Sequence, residues 1–328
     1  MSVVSVEQST IQVKGKPVFV PSTCIQGRTV ISNGRWVKVA SVRHEELVEG
    51  DTVAHPPSFI EELKNSGLKA DLLTFAQRIP ETVPKFNYHI EWETAAAIPI
   101  TSFAQWWKNA PYSTRKAVNR AEKLGVVVKE VQFNDEFVAS VCPIFNEVPV
   151  RQGRTFWHYG KDFETVKREL DNYLDRSIFL GAYHEDALIG FVKITLVGPT
   201  GALTQILSMR QHFDKKPNNA LIAKALKVCE AKGCTHFLYG NYVYHDPNST
   251  LTGFKRHNGF EAVPLPRYFV PLTIKGWIIL RLGLHRNVKE LMPKRLLNVS
   301  LRIRKAWCEY RLKAGKTLVS ARASNEAE

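Results

Sequence analysis

Apolar side chains recur along this chain with two periods, and the change from one to the other divides it into segments. From residue 11 to 48 Val, Ile and Thr crowd together with "KGKP" and "NGRW" between them, which predicts two or three antiparallel strands joined by tight turns. "PPSFIEELKNSGLKADLLTFAQRI" opens on prolines and sets Phe59, Leu63, Leu68, Leu72 and Phe75 at helical spacing, so two short helices parted at Gly67 are expected. "NYHIEWETAAAIPI" reads as a strand. Further on, "GVVVKEVQF" predicts a strand and "DEFVASVCPIFNEV" a helix, while "FETVKRELDNYLD" predicts a second helix with Val166, Leu170, Tyr173 and Leu174 on one face. The strands "SIFLGAYH", "ALIGFVKITLV" and "ALTQILSM" follow, and the connections "HED" and "GPTG" are short enough to make them antiparallel neighbours. Then come an Asn-capped helix, "NNALIAKALKVCEAKG", ending at Gly233, a strand "THFLYGNY", a helix around "LTGFKRH" and a strand "YFVPLT".

The chain of 328 residues is 44% hydrophobic, ordinary for a globular protein with a buried core. Three regions are expected: a strand-rich segment with a helix over 1–110, an α/β unit over 111–273, and a basic tail over 274–328. The formal charge is +14, and from Pro264 onward fourteen Lys and Arg stand against four Glu. Charge of this kind points to an acidic partner such as nucleic acid, a nucleotide or an anionic membrane. The tail alternates apolar and basic groups at helical spacing with Pro293 as a break, a pattern that suits a membrane surface, RNA phosphates, or a helix packed on the core with a solvated basic face. Five cysteines without a C-x-x-C pair argue against a disulfide framework and a zinc site, so no metal is expected. "MSVVSVEQST" has no signal-peptide character, and "GWIILRLGL" is too short and too charged to span a bilayer. A cytoplasmic protein follows, with peripheral contact at the inner membrane face through the tail as one outcome.

Three stretches carry a resemblance. "STRKAVNRAEKLGVVVKEV", "RQGRTFWHYGKDFETVKREL" and "GFKRHNGF" occur in order, and they resemble elements of the peptidoglycan peptide-bridge aminoacyltransferases, the FemABX family. The element order over about 112 to 272 resembles the wider Gcn5-related N-acetyltransferase (GNAT) fold. The resemblance implies an α/β (α+β) architecture: a mixed central sheet, splayed between its fourth and fifth core strands and flanked by helices, with the strand-rich N-terminal subdomain and the basic helical tail outside it. Residues 1–100 could be a degenerate copy of the same unit. Two departures stand out. Where coenzyme A-dependent members carry a Gly-rich turn, this chain reads "RQHFDKKPNNALI", in which Pro217 lacks an amide hydrogen and Asp214 adds negative charge. The coiled-coil insertion of some bridge-forming members is absent.

Four residues before the Gly-Phe pair stands Lys255, where coenzyme A-dependent relatives commonly place a tyrosine. The resemblance implies that Lys255 stabilises negative charge on a tetrahedral intermediate or leaving ribose oxygen, the alternative being an ordinary helix lysine. It also implies that Arg115, Lys116 and Arg120 bind substrate phosphates, unless they form a solvated helix face. Lys215 and Lys216, with Asn218 and Asn219 at a helix start, are candidates for the donor's phosphates. An amine must be uncharged when it attacks, so a base is useful, and Glu147, His158, Tyr159 and Asp162 are candidates, with His158 also readable as a structural histidine beside Trp157. Tyr242 and Tyr244 either position the acceptor or pack. Arg151 and Arg154 either bind an anion or pair with carboxylates. No nucleophilic triad or Walker loop occurs, which favours direct transfer. The expected function is an acyltransferase acting on an amine, with no tightly bound cofactor and with aminoacyl-tRNA or acyl-CoA as donor co-substrate. The alternative is a non-catalytic module of this fold that binds RNA or an anionic membrane.

Overall fold

The computed structural model describes residues 5–13, 16–45, 53–151, 154–244 and 249–286. The β-branched N-terminal stretch forms four strands: β1 (Glu7–Val13), β2 (Lys16–Ile25), β3 (Arg28–Asn33) and β4 (Val39–Val42), each antiparallel to the one before. Pro56 and Pro57 start α1 (Pro56–Asn65), where their missing amide hydrogens cost nothing. The second helix expected after Gly67 is instead β5 (Leu72–Ala76), parallel to β4. Leu72, Leu73 and Phe75 are all buried, so both faces of the strand are covered and the apolar run shows no alternation that would have marked it.

β6 (His89–Pro99) leads to α2 (Phe103–Asn109) and α3 (Tyr112–Lys123). Then follow β7 (Val127–Val131), α4 (Asp135–Asn146), the two-residue strands β8 (Val150–Arg151) and β9 (Arg154–Thr155), and α5 (Phe163–Leu170). The helix expected to carry Tyr173 and Leu174 ends early. Tyr173 takes a left-handed conformation with φ 57°, and a short 3-10 turn follows it. β10 (Ser177–His184), β11 (Ala187–Val197) and β12 (Thr200–Ser208) form the expected antiparallel meander. α6 (Pro217–Ala231), β13 (His236–Asn241), α7 (Thr250–His257) and β14 (Glu261–Pro271) complete the sheet. α6 has no Asn cap: Lys216, left-handed at φ 58°, precedes Pro217.

One twelve-stranded sheet runs in the order β1-β2-β3-β4-β5-β14-β6-β13-β12-β11-β10-β7. The strand-rich N-terminal segment and the later α/β segment therefore share it, and β6 lies between the two last strands. Successive residues of the central strands point to opposite faces. Leu180, Val192 and Ile194 pack with Leu221, Ile222 and Leu226 of α6, whereas Phe179 and Phe191 pack with α4 and α5 through Phe137, Val141 and Val166. β12 pairs in parallel with β13 only over Thr200–Ala202 and His236–Leu238, and beyond that the two strands part.

The chain divides into two compact units, Met1–Val270 and Pro271–Glu328. The second contains α8 (Ile274–Arg281), whose first turn is capped by the Thr273 hydroxyl accepting from Gly276 N at 3.0 Å. The expectations for the rest of the basic tail, Pro293 included, fall outside the described residues. Among the described residues no helix is long and apolar enough to cross a membrane.

Candidate active site

Past Leu238 β13 no longer pairs with β12, and α7 lays Lys255 against the free end of β13. The Ser249 hydroxyl accepts from Thr252 N at 3.2 Å to begin the helix. Gly259, at φ +81°, ends it by letting Phe260 N return to the Lys255 carbonyl at 3.0 Å, a turn that a side chain at 259 would strain. Lys255 is fully buried on the inner face of α7. Its Nζ donates to the Asn241 carbonyl at 2.5 Å and lies 4.7 Å from the ring centroid of Tyr239 and 4.6 Å from that of Tyr244. Two aromatic faces stabilise the cation where water does not reach it. Burial nevertheless pushes its pKa down to about 8. A side chain at Gly240 would collide with the Tyr244 hydroxyl, so the small residue lets Tyr244 close over the ammonium. Tyr242 follows the strand, half-buried, with its N–H on the Thr94 carbonyl at 2.6 Å.

The start of α6 is tied to the end of α7. Asn219 Nδ2 donates to Asn258 Oδ1 at 3.0 Å, and the fully buried Asn258 donates its own amide to the Phe254 carbonyl at 2.8 Å. Asn218 Oδ1 is buried there without a hydrogen-bond partner. Lys215 lies 3.7 Å from Asp214, and Lys216 is exposed.

Glu147 and Arg151 meet in a second cluster, at the end of β12. Glu147 Oε2 accepts from Arg210 N at 2.7 Å and from Arg151 at 3.1 Å, and its Oε1 accepts from Gln211 N at 3.0 Å, so the carboxylate holds the turn that leaves β12. Arg151 donates further to the Ser208 and Ile144 carbonyls, each at 3.2 Å, and stacks over Phe156 at 4.1 Å. His158 is buried against Trp157 and Phe145, and burial, reinforced by the charges of Lys161 and Arg151, pushes its pKa down to about 3. Tyr159 is exposed, and Asp162 caps α5 by accepting from Thr165 N at 2.8 Å. The backbone of Arg154 belongs to β9.

Arg115, Lys116 and Arg120 come together on α3, lining a groove with Trp107, Tyr112 and Lys123. A terminal guanidinium nitrogen of Arg115 donates to the Lys108 carbonyl at 3.1 Å, which ties that tip to the end of α2, while Lys116 and Arg120 stay exposed.

One constellation escaped the sequence reading. Arg267 donates from Nε to Glu93 Oε1 at 2.5 Å and from a terminal nitrogen to Glu45 Oε2 at 2.7 Å, while Ala76 N donates to Glu45 Oε1 at 2.5 Å. Burial raises the Glu45 pKa, with Arg267 opposing. These three residues line a cavity of about 60 Å³ together with Gly240 and Asn241. A lone arginine within the apolar "PLPRYFVP" was the available signal, but its partners lie far away in sequence.

No model of a known protein family matches the chain. A spermidine N(1)-acetyltransferase from Thermoplasma acidophilum is 28% identical over 102 residues, covering 29% of this chain and 62% of that protein, so the chain spans less than two thirds of that relative's length. Among solved structures, FemX superposes with a TM-score of 0.51 at 11% identity, covering 84% of this chain and 90% of that one. L-PGS from Bacillus licheniformis superposes with a TM-score of 0.50 at 13% identity, covering 76% and 83%. At such identities the likeness is one of architecture, and with the strand order and the parting of β12 from β13 it establishes that this chain has a GNAT fold in the FemABX-like arrangement.

Proposed function

We propose that the chain is an acyltransferase that moves an acyl or aminoacyl group from acyl-CoA or aminoacyl-tRNA to an amine by direct attack where β12 and β13 part. The observation that carries this reading is Lys255, a buried cation with one hydrogen-bond acceptor at a strand end. The amine nitrogen forms the new C–N bond, the carbonyl electrons move to oxygen, and the Lys255 ammonium stabilises that oxyanion in a water-poor setting. Collapse then expels the thiolate or the ribose oxygen, which takes up the proton released by the nitrogen. Tyr242 and Tyr244 position the acceptor beside it. Glu147 and His158 have their chemistry restrained, the first by three hydrogen bonds and the second by burial, so in this reading they shape the site rather than exchange protons.

Lys215, Lys216, Asn218 and Asn219 are the groups offered to a donor phosphate at the start of α6, but Pro217 removes one amide donor there. Acetyl-CoA is therefore expected to bind weakly, and calorimetry giving micromolar affinity would identify the donor as a thioester. Arg115, Lys116 and Arg120, in a groove with Trp107 and Tyr112, support contact with tRNA, because cations meet phosphates and aromatic faces meet bases. The tail is the proposed contact with RNA or an anionic membrane. Removing residues 274–328 is expected to weaken attachment to RNA or anionic vesicles and flatten its salt dependence.

The decisive experiment offers labelled acyl-CoA species and charged tRNA, in parallel, to the full chain with primary amines as acceptors. Label in an amide product supports the reading. If no donor in either class yields amide while RNA or vesicles bind, the non-catalytic module is the correct account.

A further inference from the structure

α8 is apolar on both of its sides, and only one of them is buried. Helical spacing sets Gly276 and Ile279 together on the buried side. Ile274, Trp277, Ile278 and Leu282 fall on the opposite side at intervals of three and four residues, and with Leu284 just beyond they are each 46% to 82% exposed. Burial accounts for the apolar character of the first side only. A continuous apolar stripe left open to water marks a surface that something else covers.

The charges around the stripe have one sign. Lys275 flanks it, the Arg281 guanidinium lies 5.6 Å from the centre of the Trp277 ring, and Arg286 follows, with no acidic residue from Ile274 to Arg286. Of the fourteen Lys and Arg after Pro264 only Arg267 precedes Ile274, so thirteen stand against four Glu from Ile274 onward. Nucleic acid would engage these cations and could stack on Trp277, but isoleucine and leucine offer no flat face to a base. A second copy of the chain would bring the same positive charge against itself. A bilayer with anionic headgroups answers both features at once. Apolar side chains enter the boundary of the acyl region, tryptophan settles at headgroup depth, and long cationic side chains reach back to the lipid phosphates.

We propose that α8 lies in the surface of an anionic lipid bilayer, with Ile274, Trp277, Ile278 and Leu282 inserted between the headgroups and Lys275, Arg281 and Arg286 on the lipid phosphates. The proposal rests on the reading of the tail as an anionic contact and narrows it to lipid and to this helix. It does not depend on the acyltransferase reading.

The test is co-sedimentation of the full chain with vesicles of phosphatidylcholine alone and of phosphatidylcholine mixed with phosphatidylserine. The mixed vesicles are expected to bind the chain and the neutral ones to bind it far more weakly. Trp277→Ser combined with Ile278→Ser keeps every cation and is expected to weaken partitioning into the mixed vesicles about tenfold or more, at an unchanged melting temperature, because two apolar side chains no longer leave water. Trp277→Phe keeps the apolar bulk, so it is expected to bind as the parent does while losing fluorescence quenching that brominated acyl chains produce in the parent. That comparison decides the matter even if the double variant fails to fold. No binding of the parent to mixed vesicles, parental partitioning of the folded double variant, or quenching unchanged in Trp277→Phe overturns the proposal. So does a parent dimer, seen by light scattering, that the double variant loses, since the stripe would then belong to a second copy. The two readings fail separately. Vesicles that hold parent and double variant alike, or RNA bound where vesicles are not, leave the tail as an anionic contact and remove α8 from the bilayer, whereas a parent that binds neither RNA nor vesicles removes both.

Discussion

Two lysines are buried among the described residues, and they are buried differently. Lys193 on β11 is 2% exposed and Lys255 on α7 is 0% exposed, and burial pushes each pKa down to about 8. Lys193 Nζ donates to the Leu170 carbonyl at 2.8 Å, to Asn172 Oδ1 at 2.6 Å and to the Asn172 carbonyl, which uses all three of its hydrogens. Lys255 has one acceptor and two aromatic faces. An ammonium with every hydrogen committed is a strut that ties the end of α5 to β11. One that keeps donor capacity, at the end of a strand that has left its neighbour, can receive an oxyanion. Burial and pKa alone would not tell them apart.

The largest effect expected is on turnover. Lys255→Met keeps the aliphatic length and removes the cation, so once a donor and acceptor pair is in hand turnover is expected to fall about a hundred- to a thousandfold, equivalent to about 2.7 to 4 kcal/mol. Thermal stability should change little, and near-parental turnover in a folded variant would end the distinction between the two lysines. Lys193→Met is expected to do the reverse. Three acceptors would be left in an apolar setting, and a loss of about 3 kcal/mol of stability should appear in denaturant titration, with turnover per folded molecule preserved.

A pH series sharpens the same contrast. Burial holds both folded pKa values below the unfolded value of about 10.5, so unfolding takes up protons between about pH 8 and pH 10.5 and stability rises with pH across that window. Either substitution should flatten the rise. Only Lys255→Met should also show a turnover ratio, parent to variant, that narrows as pH passes 8, because the parent then loses the cation it uses. A smaller effect is expected at His158. Its folded pKa of about 3 lies below the ordinary value of 6.5, so the unfolded chain binds the proton first and stability falls as pH drops from about 6.5 towards 3. His158→Asn should flatten that acid limb, read as melting temperature against pH. An unchanged limb would mean that carboxylates elsewhere account for it.

What the sequence disclosed was local. "GFKRHNGF" contains the helix, its glycine stop and Lys255 within eight residues, so one turn of α7 was legible along with its cation. The meander of β10 to β12 was legible because its hairpin connections are short. β5 was not, since a strand covered on both faces has no period of two. The start of α6 was misread because "NNA" looks like a cap, whereas Lys216 takes the left-handed position and Asn219 turns to Asn258 instead. The Glu45–Arg267–Glu93 trio joins the turn after β4 to β6 and β14, distant in sequence, and no spacing rule reaches that far. Glu147 read as a candidate base and Arg151 as a partner for an anion or a carboxylate, but their pairing with each other and their engagement with Arg210, Gln211 and Ser208 depend on where β12 ends in space.

The position of β6 has a consequence for how the molecule is made. β6 pairs antiparallel with β13 on one side and with β14 on the other. During synthesis it emerges before either partner, so both of its hydrogen-bonding edges wait while most of the later segment is translated. Long-range pairing of this kind slows folding and leaves open edges exposed to other chains. The sheet can close only when β13 and β14 arrive, the same step that brings Asn241, Lys255 and Arg267 into place. A nascent or truncated chain lacking those strands is therefore expected to have neither a finished sheet nor an assembled site, and the ribosome releases both together.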